Sequence, residues 1–391
     1  MTTDGRLQRK TPEIPPPPPP PATSAPPAVV VQPRPPVPPP EPTWISLNRW
    51  AVQHNLREPQ RLTLPKAVHF SLVTSNGAFV VQAGSTAAYW NRIEIRLGFA
   101  PQIIAGQIFL HSLDVKKNLE PLAQGYSAMS QTNRVIVIDP GHGGINAGTH
   151  SVADGRWEKE LTLDWALRLA PLLTQKGWKV FLTRTNDVDV SLLDRVLFAE
   201  LCHADFFLSL HFNSSGGSSA EASGLETFCI TPTGMASTLV RDFPDDPRQI
   251  FPNNAFDEQN VQLAAQVHRA LIGINAGDDR GVRRARFPTV LRGQRRPSAL
   301  IEGGFLSNAR EAGRIADPAH RQKLAEAVAT ALDTFVARPT PPPQEKTPVV
   351  VAENRKLETP IVQPQADVPL TNDAPVVAKP AKRRFSSPRN Q

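Results

Sequence analysis

Two hydrophobic rhythms alternate along the chain from residue 133 onward. Short apolar runs, the mark of strands buried on both faces, occur at 134–139 (Val135, Ile136, Val137, Ile138) and 206–210, and a further strand is predicted at 225–230. Between them, apolar positions recur every three or four residues, as on one face of a helix. One such stretch covers 158–176 and stops at Gly177. A second opens with Ser191 and Asp194 and runs to Cys202, and a third spans 257–272. The last opens at Asp317, with Pro318 in its first turn, and repeats at Leu324, Val328, Leu332 and Phe335. Further strands are predicted at 178–183, 289–291 and 299–301. This alternation predicts an α/β fold, a twisted, mostly parallel sheet with helices on both faces.

The pattern differs in residues 44–125. A short helix is predicted at 47–54. Period-two alternation at 67–73 (Val68, Phe70, Leu72) and a second run at 78–82 flank Thr74, Ser75, Asn76 and Gly77, a hairpin turn. Strands follow at 91–97 and 107–110, and a short helix around 113–119. This is a small α+β module ahead of the α/β domain at 133–338, and it carries no cluster of ligands or nucleophiles.

Proline marks the two ends. Of 41 prolines, 17 fall in residues 1–43 and 11 in 339–391. The first segment reads as a polyproline II arm, a spacer or a ligand for a proline-reading protein partner. The second ends in the basic stretch 379–384 and lacks the apolar content to fold. Disordered Pro-rich tails are therefore expected on both sides. They carry +1 and +3 of the formal net charge of +7, leaving +3 for the middle. That balance removes the main support for nucleic-acid binding. No stretch approaches the roughly 18 apolar residues of a membrane span. Cys202 and Cys229 make neither a disulfide framework nor a zinc ribbon and read as small buried residues. No apolar stretch of a secretory signal follows Met1.

Three chemically competent residues stand where predicted strands end. The strand at 134–139 leads into Pro140, Gly141, His142, Gly143 and Gly144; that at 206–210 meets His211; that at 299–301 meets Glu302, followed by Gly303 and Gly304. Open α/β sheets build sites at the carboxyl ends of their strands, so these residues converge despite their separation. Glycines beside them let backbone approach closely. Glu158 opens the next helix. Each residue has a plain alternative: a strand-end histidine is usually structural, and a first-turn glutamate complements the helix dipole. A carboxylate at an apolar strand end is harder to dismiss, because leaving it unpaired is costly. Together, two histidines and a glutamate make a catalytic zinc set that leaves the fourth position to water. Glu302 then fits the carboxylate that takes the water's proton and returns it to a leaving amine. Glu160, pointing away on the same helix, is the weaker ligand.

Four stretches carry a resemblance. VIDPGHGG at 137–144, EKEL at 158–161, SLHFN at 209–213 and LIEGGFLSN at 300–308 resemble, in order, the motifs of the zinc-dependent N-acetylmuramoyl-L-alanine amidases of the AmiC type. The resemblance implies His142, Glu158 and His211 as zinc ligands and Glu302 as the catalytic glutamate. It implies cleavage of the amide between the lactyl group of N-acetylmuramic acid and the L-alanine of the stem peptide, hence peptidoglycan as partner. It also implies a cell-envelope location, periplasmic or extracellular. More weakly, 44–125 is similar to the copper-amine-oxidase N-terminal-like module that accompanies some bacterial cell-wall enzymes, on its strand pattern and on Leu113-Asp114 with LEPL at 119–122. That likeness suggests a wall-binding or positioning role and no copper.

Other functions compete: a catalytically inactive wall-binding or regulatory homologue, an adaptor working through its Pro-rich arms, and a zinc carboxypeptidase. Relatives that wait for an activating partner carry an occluding helix between the second histidine and the catalytic glutamate. Here that region is interrupted by Pro232, Pro244, Pro247 and Pro252, which predicts no long helix and an unblocked site. Arg280, Arg283, Arg284, Arg286, Arg292, Arg295 and Arg296 read either as a solvated rim or as a basic lip meeting carboxylates of stem peptides or acidic wall polymers. Asn213 reads as a substrate holder or a structural hydrogen bond.

Overall fold

The structure, a computed structural model, describes residues 43–64, 67–125, 133–215, 221–241, 244–274 and 278–335. Apart from Thr43, the expected Pro-rich arm and basic tail lie outside the described residues.

The first strands are β1 (Trp44–Ser46), β2 (Gln60–Leu64), β3 (Ala67–Thr74), β4 (Gly77–Gln82), β5 (Ala87–Trp90), β6 (Ile93–Arg96), β7 (Gln102–Ile104) and β8 (Gln107–His111), with α1 (Leu47–Gln53) after β1. A helical run follows: α2 (Ser112–Asp114), a π-turn at Val115–Leu119, and α3 (Glu120–Gln124). Next come β9 (Val135–Pro140), α4 (Glu158–Gln175), β10 (Lys179–Leu182), α5 (Leu192–Leu201), β11 (Phe206–Asn213) and β12 (Leu225–Ile230). The chain continues through α6 (Asp257–Ile272), β13 (Asp279–Ala285), α7 (Thr289–Arg292), β14 (Ser298–Phe305), α8 (Ala309–Ala316) and α9 (Pro318–Asp333).

Local chemistry explains several boundaries. The Ser191 hydroxyl accepts from the Asp194 amide to start α5, and Asp317 accepts from Ala319, with Pro318 in the first turn, to start α9. Just past α4, Gly177 takes the left-handed conformation at φ +82°.

Eleven strands form one sheet in the order β10-β9-β11-β14-β12-β13-β6-β5-β4-β3-β2. From β10 to β13 every pairing is parallel except β12 with β14. The expected mostly parallel sheet is therefore present. β13 pairs in parallel with β6 at Val282 and Ile95, and from β6 to β2 the sheet is antiparallel. The segments flanking residue 125 thus contribute to a single sheet.

Helices cover both faces. Trp165, Leu169 and Leu173 of α4, Val261 and Leu271 of α6, and Leu324 and Val328 of α9 belong to one core, which continues into Phe79, Trp90 and Ile95. On the opposite face, Ala199 of α5 and Val290 and Leu291 of α7 pack over Val137, Phe207 and Phe228. Each such fully buried Leu or Phe is worth about 2 kcal/mol. No helix among the described residues is long and apolar enough to cross a membrane.

The strand expected at 289–291 is instead the helical turn α7. Pro288 holds the extended N-cap, and its carbonyl accepts from the Leu291 amide at 3.0 Å. Three residues are too short to show a period, so the β-branched Thr289 and Val290 mislead. β13 was not foreseen, because the charges in DRGVRRA hide its alternation. β11 and β14 both run past their expected ends, so His211 and Glu302 lie within strands.

Candidate active site and metal centre

The loop after β9 is built around missing side chains. A Cβ on Gly141 would stand 2.3 Å from the His211 ring. One on Gly148 would stand 2.6 Å from Glu158 Oε2 and 2.8 Å from His142 Cδ2. His142 itself sits at φ +61°, a left-handed conformation that costs an L-residue on the order of 1 kcal/mol.

Two buried arginines hold it there. Arg195 donates to the carbonyls of Pro140 (2.9 Å) and His142 (2.8 Å) and pairs with Asp139 at 2.6 Å. Arg184 donates to the carbonyls of Pro140 (3.0 Å) and Gly141 (2.8 Å). Burial, then repulsion from Arg195, brings Arg184 down to about 10, leaving it charged at neutral pH. Asp139 also accepts from Thr183 and Ser209. Its charge is thus fully partnered, as burial demands.

Around this loop His142, Glu158 and His211 converge. Glu158, in the first turn of α4, lies 3.0 Å from His142 Nε2 through Oε2 and 3.0 Å from His211 Nδ1 through Oε1. The amides of Phe212 and Thr149 also donate to its carboxylate. Burial acts to raise the Glu158 carboxyl, but its bonds to the two histidines outweigh that and bring it down to about 2. For His142, burial opposes and Glu158 favours protonation, with a net upward shift. One ligand atom from each of the three lies within 4.8 Å of the others. Among the described residues this is the one such group of His, Cys, Asp and Glu. Two imidazoles and a carboxylate aimed at one point are a donor set that fits zinc. Glu160 instead accepts from the Trp157 amide at 3.1 Å on the exposed side of α4.

Glu302 is the register partner of His211 across β11 and β14, and Glu226 of β12 faces it from the other side. The Glu302 side chain is 7% exposed, and its Oε2 is buried without a hydrogen-bond partner. Burial pushes its carboxyl up to about 7; His211 opposes this, while Glu158 and Glu226 reinforce it. Glu226, by contrast, is saturated by Arg280 at 2.8 Å and Asn213 at 3.0 Å. Asn213 thus makes a structural bond while also lining the cavity.

The cavity has a volume of about 350 Å³, with His142, Glu158, His211 and Glu302 in its lining and Leu192, Phe287 and Val290 as an apolar wall. Between β12 and α6 the described residues form turns and one 3-10 segment, Pro252–Phe256, and none of that segment lines the cavity.

Three of the seven arginines at 280–296 are internal. Arg284, Arg286 and Arg296 are buried. Arg284 donates to the Lys117 carbonyl and Asn118, Arg286 pairs with Asp245, and Arg296 pairs with Glu200. The arginines that do line the cavity are Arg195 and Arg241, which lie outside that run and went unnoticed in the sequence. Cys202 is half-buried and Cys229 buried, both as free thiols.

Residues 136–334, half of the chain, match the family described as N-acetylmuramoyl-L-alanine amidase. The chain is 33% identical over 199 residues to the N-acetylmuramoyl-L-alanine amidase CwlM of Bacillus licheniformis, covering 50% of this chain and 66% of that protein. It is 34% identical over 200 residues to the sporulation-specific N-acetylmuramoyl-L-alanine amidase of Bacillus subtilis, covering 51% and 66%. Among solved structures, the N-acetylmuramoyl-L-alanine amidase from Clostridium difficile 630 aligns at 32% identity over 51% of this chain and 95% of that one, with a TM-score of 0.43. The chain thus spans just under two thirds of the length of these two curated relatives. With four motif stretches inside the matched region and their side chains gathered at one cavity, this chain belongs to the N-acetylmuramoyl-L-alanine amidase family.

Proposed function

We propose that the chain is a peptidoglycan hydrolase cleaving the amide between the lactyl group of N-acetylmuramic acid and the L-alanine of the stem peptide. In this reading His142, Glu158 and His211 hold a zinc ion and Glu302 handles the proton. One observation carries it: three ligand atoms within 4.8 Å of one another, with the buried, unbonded oxygen of Glu302 one strand away. Zinc bound there supplies Lewis-acid chemistry, polarising a carbonyl and acidifying water.

Glu302 is matched to the remaining task. Burial raises the Glu302 carboxyl above the usual carboxylate range, which suits a group that accepts a proton from the attacking water and gives it up again to the departing amine nitrogen. The C–N bond breaks, the stem peptide leaves with a new amino terminus, and the lactyl group remains as a carboxylate. Leu192, Phe287 and Val290 form the apolar side of the cavity in which that exchange would take place. Such a substrate places the enzyme in the cell envelope, periplasmic or extracellular. Residues 44–125, continuing the same sheet, suit a wall-binding or positioning role, and the Pro-rich arms suit a protein partner.

The test is a pair of variants assayed for peptide release from purified peptidoglycan. Glu302→Ala is expected to retain zinc and lose release, whereas His142→Ala loses both. Near-native turnover by Glu302→Ala overturns the assignment. Identifying the product separates an amidase from a carboxypeptidase: a stem peptide beginning with L-alanine in the first case, a free terminal amino acid in the second.

A further inference from the structure

Two arginines line the catalytic cavity, and they differ in how they are engaged. Arg195 is committed to Asp139 and to three carbonyls, those of Pro140, His142 and Val190. Arg241 has no such partner: among the described residues no carboxylate or carbonyl hydrogen-bonds its exposed guanidinium. It lies instead over the face of Phe287, 4.6 Å from the ring centroid. Phe287 is anchored in turn, edge-to-face on the buried Phe228 with centroids 5.6 Å apart. The guanidinium therefore rests on a fixed aromatic platform at the cavity wall, and its donors are left for a ligand.

The position matters because the cavity's other charges are accounted for. Asp139 is paired with Arg195, and Glu158 lies between the two histidines. Glu302 lies close enough to Arg241 to be influenced by its charge. A lone cation on this wall complements an anionic group on the substrate. In a stem peptide, the residue after L-alanine is a γ-linked glutamate whose α-carboxyl is either free or amidated. An extended residue spans about 3.5 Å, so two residues put that group on the order of 7 Å from the cleaved amide.

We infer that Arg241 is a specificity-determining residue that pairs with the free α-carboxylate of the second stem residue, so that the cavity takes acidic stems in preference to amidated ones. This rests on the amidase reading given above. A planar guanidinium matches a carboxylate with two parallel hydrogen bonds and has no comparable match for a carboxamide. A charge-assisted bond of this kind supports a preference of about tenfold.

The experiment uses the full-length, zinc-loaded chain and two muropeptides identical except for D-glutamate or D-isoglutamine at the second position. The wild-type protein is expected to cleave the acidic muropeptide with about tenfold higher kcat/KM. Arg241→Gln is expected to bring that ratio close to one, and Arg241→Lys to an intermediate value. If both muropeptides are cleaved and Arg241→Gln keeps the wild-type ratio, or if the wild type shows no preference, the inference is overturned and the amidase reading stands. If the wild type cleaves neither, the amidase reading itself fails and takes this inference with it.

Discussion

His211 on β11 and Glu302 on β14 occupy the same register position of two parallel, hydrogen-bonded strands. Register partners project to the same face, and adjacent strands lie about 4.8 Å apart. An imidazole and a carboxylate are therefore neighbours by virtue of the sheet, not of a loop. Glu226 continues the row on β12. His142 depends on the loop after β9 and Glu158 on the start of α4, but His211 and the proton-handling candidate Glu302 are set by backbone pairing, which fixes their relative position.

That burial has a pH signature in the metal-free protein. The folded chain holds the Glu302 proton up to about pH 7, whereas the ordinary carboxyl releases it near 4.5. Between those values the folded state binds more protons, so stability falls as pH rises. The contribution is fully present below about pH 4.5 and is lost as pH rises through about 7. Glu302→Gln cannot ionise. Urea unfolding of chelated protein should find the variant and wild type differing little near pH 4, with the variant relatively more stable above pH 7 by up to about 3 kcal/mol. A difference that does not change with pH would remove the buried, protonated carboxyl from the account.

Gly148 offers a separation of site from scaffold. At φ +71°, an added methyl would meet both Glu158 and His142. Gly155, at φ +74°, faces open space. Each alanine substitution carries a backbone cost on the order of 1 kcal/mol, but only Gly148→Ala should weaken zinc retention, by tenfold or more in competition with a chelating dye. Equal zinc affinities for the two variants would show that the β9 loop adjusts freely.

Arg195 should matter for both stability and metal. Arg195→Ala leaves the buried Asp139 carboxylate without its cation, a loss of about 3–5 kcal/mol, and frees the His142 carbonyl, while Arg184 still donates to that of Pro140. His142 then has less to hold it at positive φ. Denaturant unfolding should report the first effect and zinc competition the second, with Arg195→Lys recovering the charge pair better than the metal affinity. A variant that is destabilised but binds zinc like the wild type would make Arg195 purely structural.

The parts of this site that were legible in the sequence were those written locally. Apolar runs end at His211 and Glu302, and glycines surround His142, because strand burial and close approach leave a mark on neighbouring residues. What the sequence hid is long-range. Arg184 and Arg195 grip carbonyls 43 to 55 positions away. The arginines at 284, 286 and 296 look like a charged surface until their partners at 117, 245 and 200 come into view. The same charges hid β13, and with it the joint to β6. Arg241 has no local signature at all; its meaning comes from Phe287, which the fold brings beneath it.

That joint makes the isolated segment 133–338 a poor stand-in for the longer chain. β13 would lose its partner at Ile95, and Asp279 would lose the Glu94 amide that donates to it at 2.9 Å. Arg284, buried at 2% exposure, would lose the Lys117 carbonyl and Asn118, and Gln262 of α6 would lose the carbonyls of Pro121 and Gly125. Each buried polar group left unpaired costs about 1–3 kcal/mol, and the shared core around Val282 would open to water. The segment is therefore expected to melt well below a chain beginning at residue 43, and to self-associate through the bared β13 edge. Thermal unfolding with analytical ultracentrifugation decides this: a monomeric segment with an unchanged melting temperature would mean that the shared sheet adds nothing to the stability of the catalytic half.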